Sequence, residues 1–189
     1  TFGGGSWWAH ASLQSGTWIN SQGRYNELVH SSRMTLASAF ARAGWRTVAM
    51  DPSNDRTWPE GTSFYRYAKI YDRRNVGYRG PTYGFSSMPD EYTLLAMQRL
   101  ELSRPNRRPI FSEIDTTSSH TPWTRIPSFV PWNEVGDESI FNRLPVNRRG
   151  LTDTKQGYSA SIKYSLRTLF SFVQHYGDKN LVLIVLGDH

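Results

Sequence analysis

Cysteine is absent from the 189-residue sequence. Its absence excludes disulfide bonds, a cysteine nucleophile and cysteine-ligated zinc. No apolar run reaches the roughly 18 to 20 residues that a membrane-spanning helix needs, and no signal peptide is visible. No basic stretch is interleaved with aromatic residues, which argues against a nucleic-acid partner. The sequence has 38% hydrophobic and 20% charged residues, as in a globular domain, and its net charge of +6 suits an anionic substrate or a membrane surface.

Helical and strand patterns alternate along the chain, and this order predicts an α/β fold with a mainly parallel sheet flanked by helices. We predict helices at residues 6–15, 24–43, 90–102 and 153–176. We predict strands at residues 46–50, 109–117 and 181–186, the last of them buried on both faces. The segments 53–87 and 121–149 carry many Gly, Pro, Tyr or Trp residues, and we expect them to form long irregular loops.

The first candidate for chemistry is Ser6, which follows three glycines and begins a predicted helix. Free backbone N–H groups and the positive end of the helix dipole at that position would favour an anion. A serine hydroxyl there is well placed to attack a phosphorus centre. His10 lies one turn further along the same helix face. The alternative is that Ser6 only caps the helix and that His10 is an ordinary core or surface residue.

The second candidate is His120, in a Ser-Ser-His-Thr-Pro-Trp segment that directly follows a predicted strand. A histidine at the carboxyl end of a strand could donate a hydrogen bond to a substrate oxygen. An ordinary turn is the alternative, because Ser, His and Pro all suit turns.

The third candidate is the Gly187-Asp188-His189 sequence, which follows the apolar run 181–186. Ligand sites in open α/β sheets form at the carboxyl ends of strands, and Asp beside His is a plausible pair of metal ligands. The alternative is a helix cap at Asp188. A metal ion held by Asp188, His189 and the Ser6 oxygen would lower the pKa of the hydroxyl and neutralise charge on a phosphate.

Taken in order, these motifs resemble the alkaline phosphatase superfamily, and within it the sulfatase-like branch that includes lipoteichoic-acid-synthase-like phosphoglycerol transferases. Ser6 and Gly16 match the spacing between the family's nucleophile and a following glycine. His10 matches a histidine found in nucleotide pyrophosphatase relatives. Ser119 to Pro122 match the Ser-His-x-Pro segment of the transferases, and Gly187 to His189 match the second metal motif. The likeness covers nearly the whole chain.

The resemblance implies a catalytic domain of which residues 1–189 are a part, without its first strand and its C-terminal portion. It implies Ser6 as nucleophile and metal ligand, His120 as a catalytic and substrate-binding residue, and His10 as a substrate-binding residue. Asp188 and His189 would hold a divalent metal ion, which could be Mn, Mg, Ca or Zn. Thr1 is a second candidate nucleophile, although its spacing to Gly16 does not match.

The function that the resemblance implies is metal-dependent hydrolysis or transfer at an anionic phosphoester carried by a lipid or a glycan. Sulfate ester hydrolysis is an alternative. It is disfavoured because Trp8 and His10 stand where sulfatases have the Pro and Arg of their modification signature. A second alternative is a non-catalytic module that binds anionic glycans or lipid headgroups. The resemblance further implies an intact protein that is tethered to a membrane and faces away from the cytoplasm.

Overall fold

Three parallel strands form the centre of the computed structural model, which describes residues 5–123, 125–136, 139–143 and 155–189. The strands β1 (Arg46–Asp51), β2 (Lys69–Asp72) and β3 (Ile110–Ile114) are ordered β2-β1-β3. Val48 pairs with Lys69 on one side and with Ser112 on the other. The predicted α/β class with a parallel sheet flanked by helices is therefore confirmed.

Helices cover both faces of this sheet. None of those described has the length and apolar character required to cross a bilayer. In chain order they are α1 (Ser6–Ser15), α2 (Gln22–Val29), α3 (Leu36–Arg42), α4 (Pro59–Ser63), α5 (Asp90–Met97), α6 (Ser139–Arg143) and α7 (Lys155–Tyr176). A π-helical turn, Gln98–Leu102, extends α5 so that helical structure covers the predicted range 90–102.

The two-residue period of the strands separates two hydrophobic cores. Val48 and Met50 of β1 point into a core that includes Met88, residues of α5, and Phe172 of α7. Ala49, between them, points to the opposite side, into a core formed with α1, α2 and α3. On β3, Phe111 packs against this second core. Because Phe111, Glu113 and Asp115 alternate with residues of the other face, all three lie on the α1 side of the sheet.

The predicted single helix over residues 24–43 is wrong, because the chain forms α2 and α3 with a break between them. Thr35 provides the physical reason. Its side chain accepts a hydrogen bond from the backbone N–H of Ser38, and the Ser38 side chain bonds back to the Thr35 backbone. This reciprocal capping box begins a new helix. The apolar spacing in residues 36–43 belongs to α3 alone.

The segment predicted as an irregular loop, residues 53–87, contains α4 and the edge strand β2. The second predicted loop, 121–149, contains α6 among its described residues. The start predicted for the last helix, Asp153, lies outside the described residues, whereas its end at Tyr176 is confirmed.

The predicted buried strand at residues 181–186 is wrong. The segment forms no described strand, and Val182 and Ile184 are 85% and 79% exposed. A β-strand is defined by hydrogen bonds to a neighbour, and an apolar run supplies only one side of that pairing.

Glu91, in the first turn of α5, is a fully buried carboxylate that links three parts of the fold. It accepts hydrogen bonds from the Val130 backbone N–H (3.0 Å) and from the Tyr164 hydroxyl of α7 (3.0 Å). Burial raises its pKa to about 7, although these two hydrogen bonds and the charge of Arg167 act in the opposite direction, and nearby Asp90 adds to the rise. The folded protein therefore holds a proton on Glu91 that the unfolded chain releases at lower pH.

We predict that replacing Glu91 with Gln removes a pH-dependent loss of stability. A raised folded-state pKa means that stability falls as the pH rises from about 4.5 to 7, and the neutral amide has no such proton to lose. Urea unfolding at pH 5, 6, 7 and 8 should show a flatter profile for E91Q, with a gain of ~2 kcal/mol over the parent protein at pH 8.

The control is Glu101→Gln. The pKa of Glu101 is lowered: burial raises it, but the Arg46 and Tyr71 hydrogen bonds outweigh burial. Its contribution to stability is therefore present at neutral pH and lost on acidification, and E101Q should be less stable than the parent at pH 8. If the free energy of unfolding has the same pH dependence in E91Q and in the parent protein, the raised pKa does not belong to Glu91.

Candidate active site

Carboxylates collect at the carboxyl edge of the sheet, on the side covered by α1. Asp51 is the last residue of β1, and Asp115 follows β3 directly. The Asp115 backbone N–H donates to the carbonyl of Met50, which holds the two strand ends together (2.9 Å). Glu113 lies two residues before Asp115 and therefore on the same face. Adjacent parallel strands thus present three acidic side chains to one helix.

His10 of α1 is the cation that meets these carboxylates. Its Nδ1 lies 2.6 Å from Glu113 Oε1, and its Nε2 lies 3.4 Å from Asp115 Oδ1. The same Nε2 is 3.8 Å from Asp188 Oδ1. One imidazole therefore contacts carboxylates from β3, from the residue after it, and from the end of the 181–186 run.

The charges of this cluster shift the pKa values of its members. Burial alone lowers the pKa of His10, but the hydrogen bond to Glu113 and the charges of Asp115, Glu113 and Asp188 raise it to about 10. His10 is therefore an imidazolium at neutral pH. Burial, reinforced by the neighbouring carboxylates, raises the pKa of Asp115 to about 7, although His10 acts against the rise. Burial also raises the pKa of Asp51, and the His10 charge opposes that shift.

Glu113 has three donors and no acceptor among its described partners. Besides His10, it accepts a hydrogen bond from Gln14 Nε2 at 2.7 Å and another from the Tyr67 hydroxyl. Gln14 is 2% exposed, and its Oε1 accepts from the Ala37 backbone N–H of α3 (3.0 Å). An ionised carboxylate is the side chain that satisfies three donors at once.

Ser6 is the first residue of α1 and is partly buried. Gly5 is the N-cap, and its carbonyl accepts from the backbone N–H groups of Trp8 (2.9 Å) and Ala9 (3.2 Å). The N–H groups of Ser6 and Trp7 lie outside this intrahelical pattern, at the end of a helix that favours anions. At the other end, Gly16 adopts φ +63, a left-handed conformation that ends α1. The ten-residue spacing between Ser6 and Gly16 is therefore the length of one helix. Thr1, the second candidate nucleophile, lies outside the described residues.

Asp188 and His189 lie next to each other at the same edge, with His189 Nε2 3.5 Å from Asp188 Oδ2. Their donor chemistry suits a divalent cation, and so does the surplus of negative charge created by Asp51, Glu113, Asp115 and Asp188. No group of three or more His, Asp or Glu side chains within the described ranges is arranged to hold a metal ion. The residues therefore fit a metal in type and charge, while the coordination shell itself is not assembled.

His120 lies on a turn that follows β3. Its ring stacks on Phe85, with ring centroids 3.8 Å apart, and its Nδ1 is 2.5 Å from the Thr121 carbonyl oxygen, to which it donates. Asp90, at the start of α5, holds this turn in place. Its Oδ1 accepts from the backbone N–H groups of Thr117 and Ser118, both at 2.9 Å. The turn therefore has a fixed backbone and a partly exposed imidazole.

Three of the five predicted site residues come together: His10, Asp188 and His189. Ser6 shares α1 with His10, and His120 shares the carboxyl edge of β3, but neither joins the cluster through a described contact. Sequence reasoning missed Asp51, Glu113 and Asp115. The available signal was the two-residue period of β3, which places Glu113 and Asp115 on one face at the end of a strand.

The fold of this chain is similar to the folds of two solved structures. No family model matches the sequence, and no curated protein matches it. The described architecture is an alkaline-phosphatase-like fold. In each of the two solved structures compared, the matching region is part of a longer chain.

One such structure is the lipoteichoic acid synthase LtaP from Listeria monocytogenes, with a TM-score of 0.61 and 18% identity over 92% of this chain. Another is a protein in the alkaline phosphatase superfamily from Vibrio parahaemolyticus, with a TM-score of 0.55 and 17% identity over 89% of this chain. The chain spans 40% and 38% of the length of these two proteins. At such identities the likeness establishes the fold.

We predict that replacing His10 with Ala destabilises the protein by ~2 kcal/mol, because Glu113 and Asp115 lose their shared cation while they remain partly buried. Denaturant unfolding at pH 7 measures the change. The matched control is His30→Ala, since His30 is exposed and bonds only to its own helix among the described contacts. Equal destabilisation by the two substitutions would show that the cluster contributes no specific stability.

Proposed function

We propose that this chain carries part of the active site of a metal-dependent hydrolase or transferase that acts on phosphoesters. One observation supports this function above the others: Asp188 lies beside His10 of α1, with His189 next to it, at the carboxyl edge of a sheet with an alkaline-phosphatase-like fold. Sites in open α/β folds form at this edge. The similarity to a lipoteichoic acid synthase supports a phosphoglycerol-type headgroup as the substrate.

In the proposed mechanism Ser6 is the nucleophile. Its hydroxyl lies at the N-terminus of α1, where the backbone N–H groups of the first turn favour the negative charge of a tetrahedral phosphate. Attack of the Ser6 oxygen on phosphorus forms a phosphoester with the protein and breaks the bond from phosphorus to the substrate's alkoxy oxygen. The proton lost by the Ser6 hydroxyl leaves on that oxygen, so the first product is an alcohol. Water or an acceptor hydroxyl then attacks the same phosphorus, and the Ser6 oxygen leaves.

The remaining residues orient the substrate and balance its charge. The His10 imidazolium, one helical turn from Ser6, offsets carboxylate charge that would otherwise repel an anionic phosphoester. His120, partly exposed on its fixed turn, accepts a hydrogen bond from a substrate hydroxyl at Nε2, because its Nδ1–H donates to the Thr121 carbonyl. Phe85, stacked on His120 and 52% exposed, covers one side of that imidazole.

A divalent cation is part of this proposal, with Asp188 and His189 as the residues that would hold it and the Ser6 oxygen as a further ligand. When bound, it lowers the pKa of the Ser6 hydroxyl and stabilises charge on the phosphoryl oxygens. The resemblance in sequence also leads us to propose that the intact protein is tethered to a membrane and acts outside the cytoplasm.

We predict that Ser6→Ala lowers turnover of a chromogenic phosphodiester by at least ~10³-fold, because the residue that accepts the phosphoryl group is lost. The assay uses the full gene product with Mn²⁺, and Ser32→Ala on the exposed surface is the control. Mass spectrometry should find an unmodified serine at position 6. Turnover of a sulfate ester with a formylglycine at position 6 would replace this proposal with sulfatase chemistry.

We predict that Asp188→Asn weakens Mn²⁺ binding by at least ~10-fold, measured by isothermal titration calorimetry without any substrate. The charged oxygen is lost while the size of the side chain is kept. The control is Asp178→Asn, whose carboxylate accepts from the backbone of Asn180 in an exposed turn. Equal Mn²⁺ affinities of D188N and D178N would exclude Asp188 as a ligand.

A further inference from the structure

We propose that Glu113 is a positioning residue that fixes the rotation of α1 about its own axis and so determines where Ser6 points. This inference rests on the proposed function for its catalytic meaning, but the structural part of it stands on contacts alone. Glu113 lies near the carboxyl end of β3, on the face of the sheet that α1 covers, and it contacts the helix at two positions. It is not a catalytic residue, because it acts through α1.

The helical spacing of its partners is the first step. Ser6, His10 and Gln14 occupy positions i, i+4 and i+8 of α1, and such residues lie within an arc of about 80° on one side of a helix. Glu113 bonds to the second and third of them, through Oε1 to His10 at 2.6 Å and through Oε2 to Gln14 at 2.7 Å. The two bonds, one helical turn apart, hold this side of α1 against β3 and oppose rotation of the helix about its axis.

The second step concerns what else could hold α1 in this rotation. The helix has a weak separation of polar and apolar faces, since exposed Trp7 and Leu13 occur on it together with buried Ala11 and Gln14. Apolar packing therefore defines its rotation poorly. The hydrogen bonds from α1 to Glu113 of β3 therefore define the rotation of the helix. Gln14 also binds the first turn of α3, because its side chain accepts from the Ala37 backbone N–H.

The third step is that the carboxylate cannot be exchanged for its amide. All three groups that approach Glu113, from His10, Gln14 and Tyr67, do so as donors. Glutamine in its place must turn its NH₂ group either toward the Gln14 NH₂ group or toward the Nδ1–H of His10, and either orientation leaves two donors facing each other. Glu113→Gln therefore loosens α1 while it keeps the side chain's volume.

The absence of cysteine provides a direct reporter of the Ser6 position. In a Ser6→Cys background, the iodoacetamide alkylation rate at pH 7 reports how the side chain at the start of α1 is presented to solvent and to the His10 ring. We expect Glu113→Gln to change this rate at least threefold and to lower the hydrogen-exchange protection of the α1 peptides at least tenfold. The same substitution at Glu113 in the full gene product should lower kcat at least tenfold and leave KM within threefold, because His120 lies on a separate turn.

Two controls make the result specific. Glu101→Gln removes another buried carboxylate, one that binds Arg46 and Tyr71 near the opposite end of the sheet, and should leave the alkylation rate within twofold. Tyr67→Phe removes the one donor that is not on α1 and should likewise leave the rate within twofold. If E113Q does not fold, Gln14→Ala breaks one of the two helix bonds and should change the alkylation rate in the same direction.

The failure of this inference and the failure of the proposed function are distinguishable. Alkylation and exchange in E113Q equal to those in E101Q would overturn the positioning role, whatever the activity. Normal turnover by Ser6→Ala would overturn the assignment of Ser6 as nucleophile and, with it, the catalytic consequence of the Glu113 contacts. Altered alkylation and exchange in E113Q would then still support control of the α1 rotation by Glu113.

Discussion

The carboxylate of Glu113 is the interaction on which the arrangement of the candidate site depends. It joins a central layer, the parallel sheet, to the helix that begins at Ser6, and it does so through charge rather than through apolar packing. A partly buried carboxylate is stabilising only where its donors are complete, and here an imidazolium, an amide and a phenol complete them. Site geometry and local stability are therefore properties of the same few hydrogen bonds.

At the carboxyl edge of the sheet, several carboxylates surround one cation. Glu113 of β3, Asp115 and Asp188 contact the His10 imidazolium, and Asp51 of β1 is close enough to feel its charge. Burial and repulsion by the neighbouring carboxylates favour a proton on Asp115, which relieves part of this surplus of negative charge. The same surplus would attract a metal ion, so the charge distribution agrees with the ligand chemistry of Asp188 and His189.

Sequence patterns predicted the central architecture because its elements are determined locally. The apolar run in β1 and the interval between Ser6 and Gly16 each define an element without help from distant residues. The division between α2 and α3 was missed because the Thr35 cap interrupts a region whose hydrophobic spacing alone indicates one helix. The four-residue strand β2 was missed because its pairing with β1 depends on residues 21 positions away.

The candidate site was predictable only where a motif is contiguous. Gly187 to His189 could be recognised from adjacent residues, and the structure places Asp188 beside His10. Glu113 could not be assigned a role in this way, because its partners are 46 to 103 positions away in the chain. The apolar run 181–186 suggested a buried strand, yet burial is a property of what lies against a segment and not of the segment's own composition.

The Asp90 carboxylate has a mechanical consequence for the turn that carries His120. Its Oδ1 binds the backbone of Thr117 and Ser118, while its Oδ2 accepts from the Ser165 hydroxyl of α7 at 2.6 Å. The turn and the long helix are thus coupled through one fully buried side chain. A displacement of α7, by a ligand or a neighbouring domain on its outer surface, would be transmitted to His120 without any contact between them.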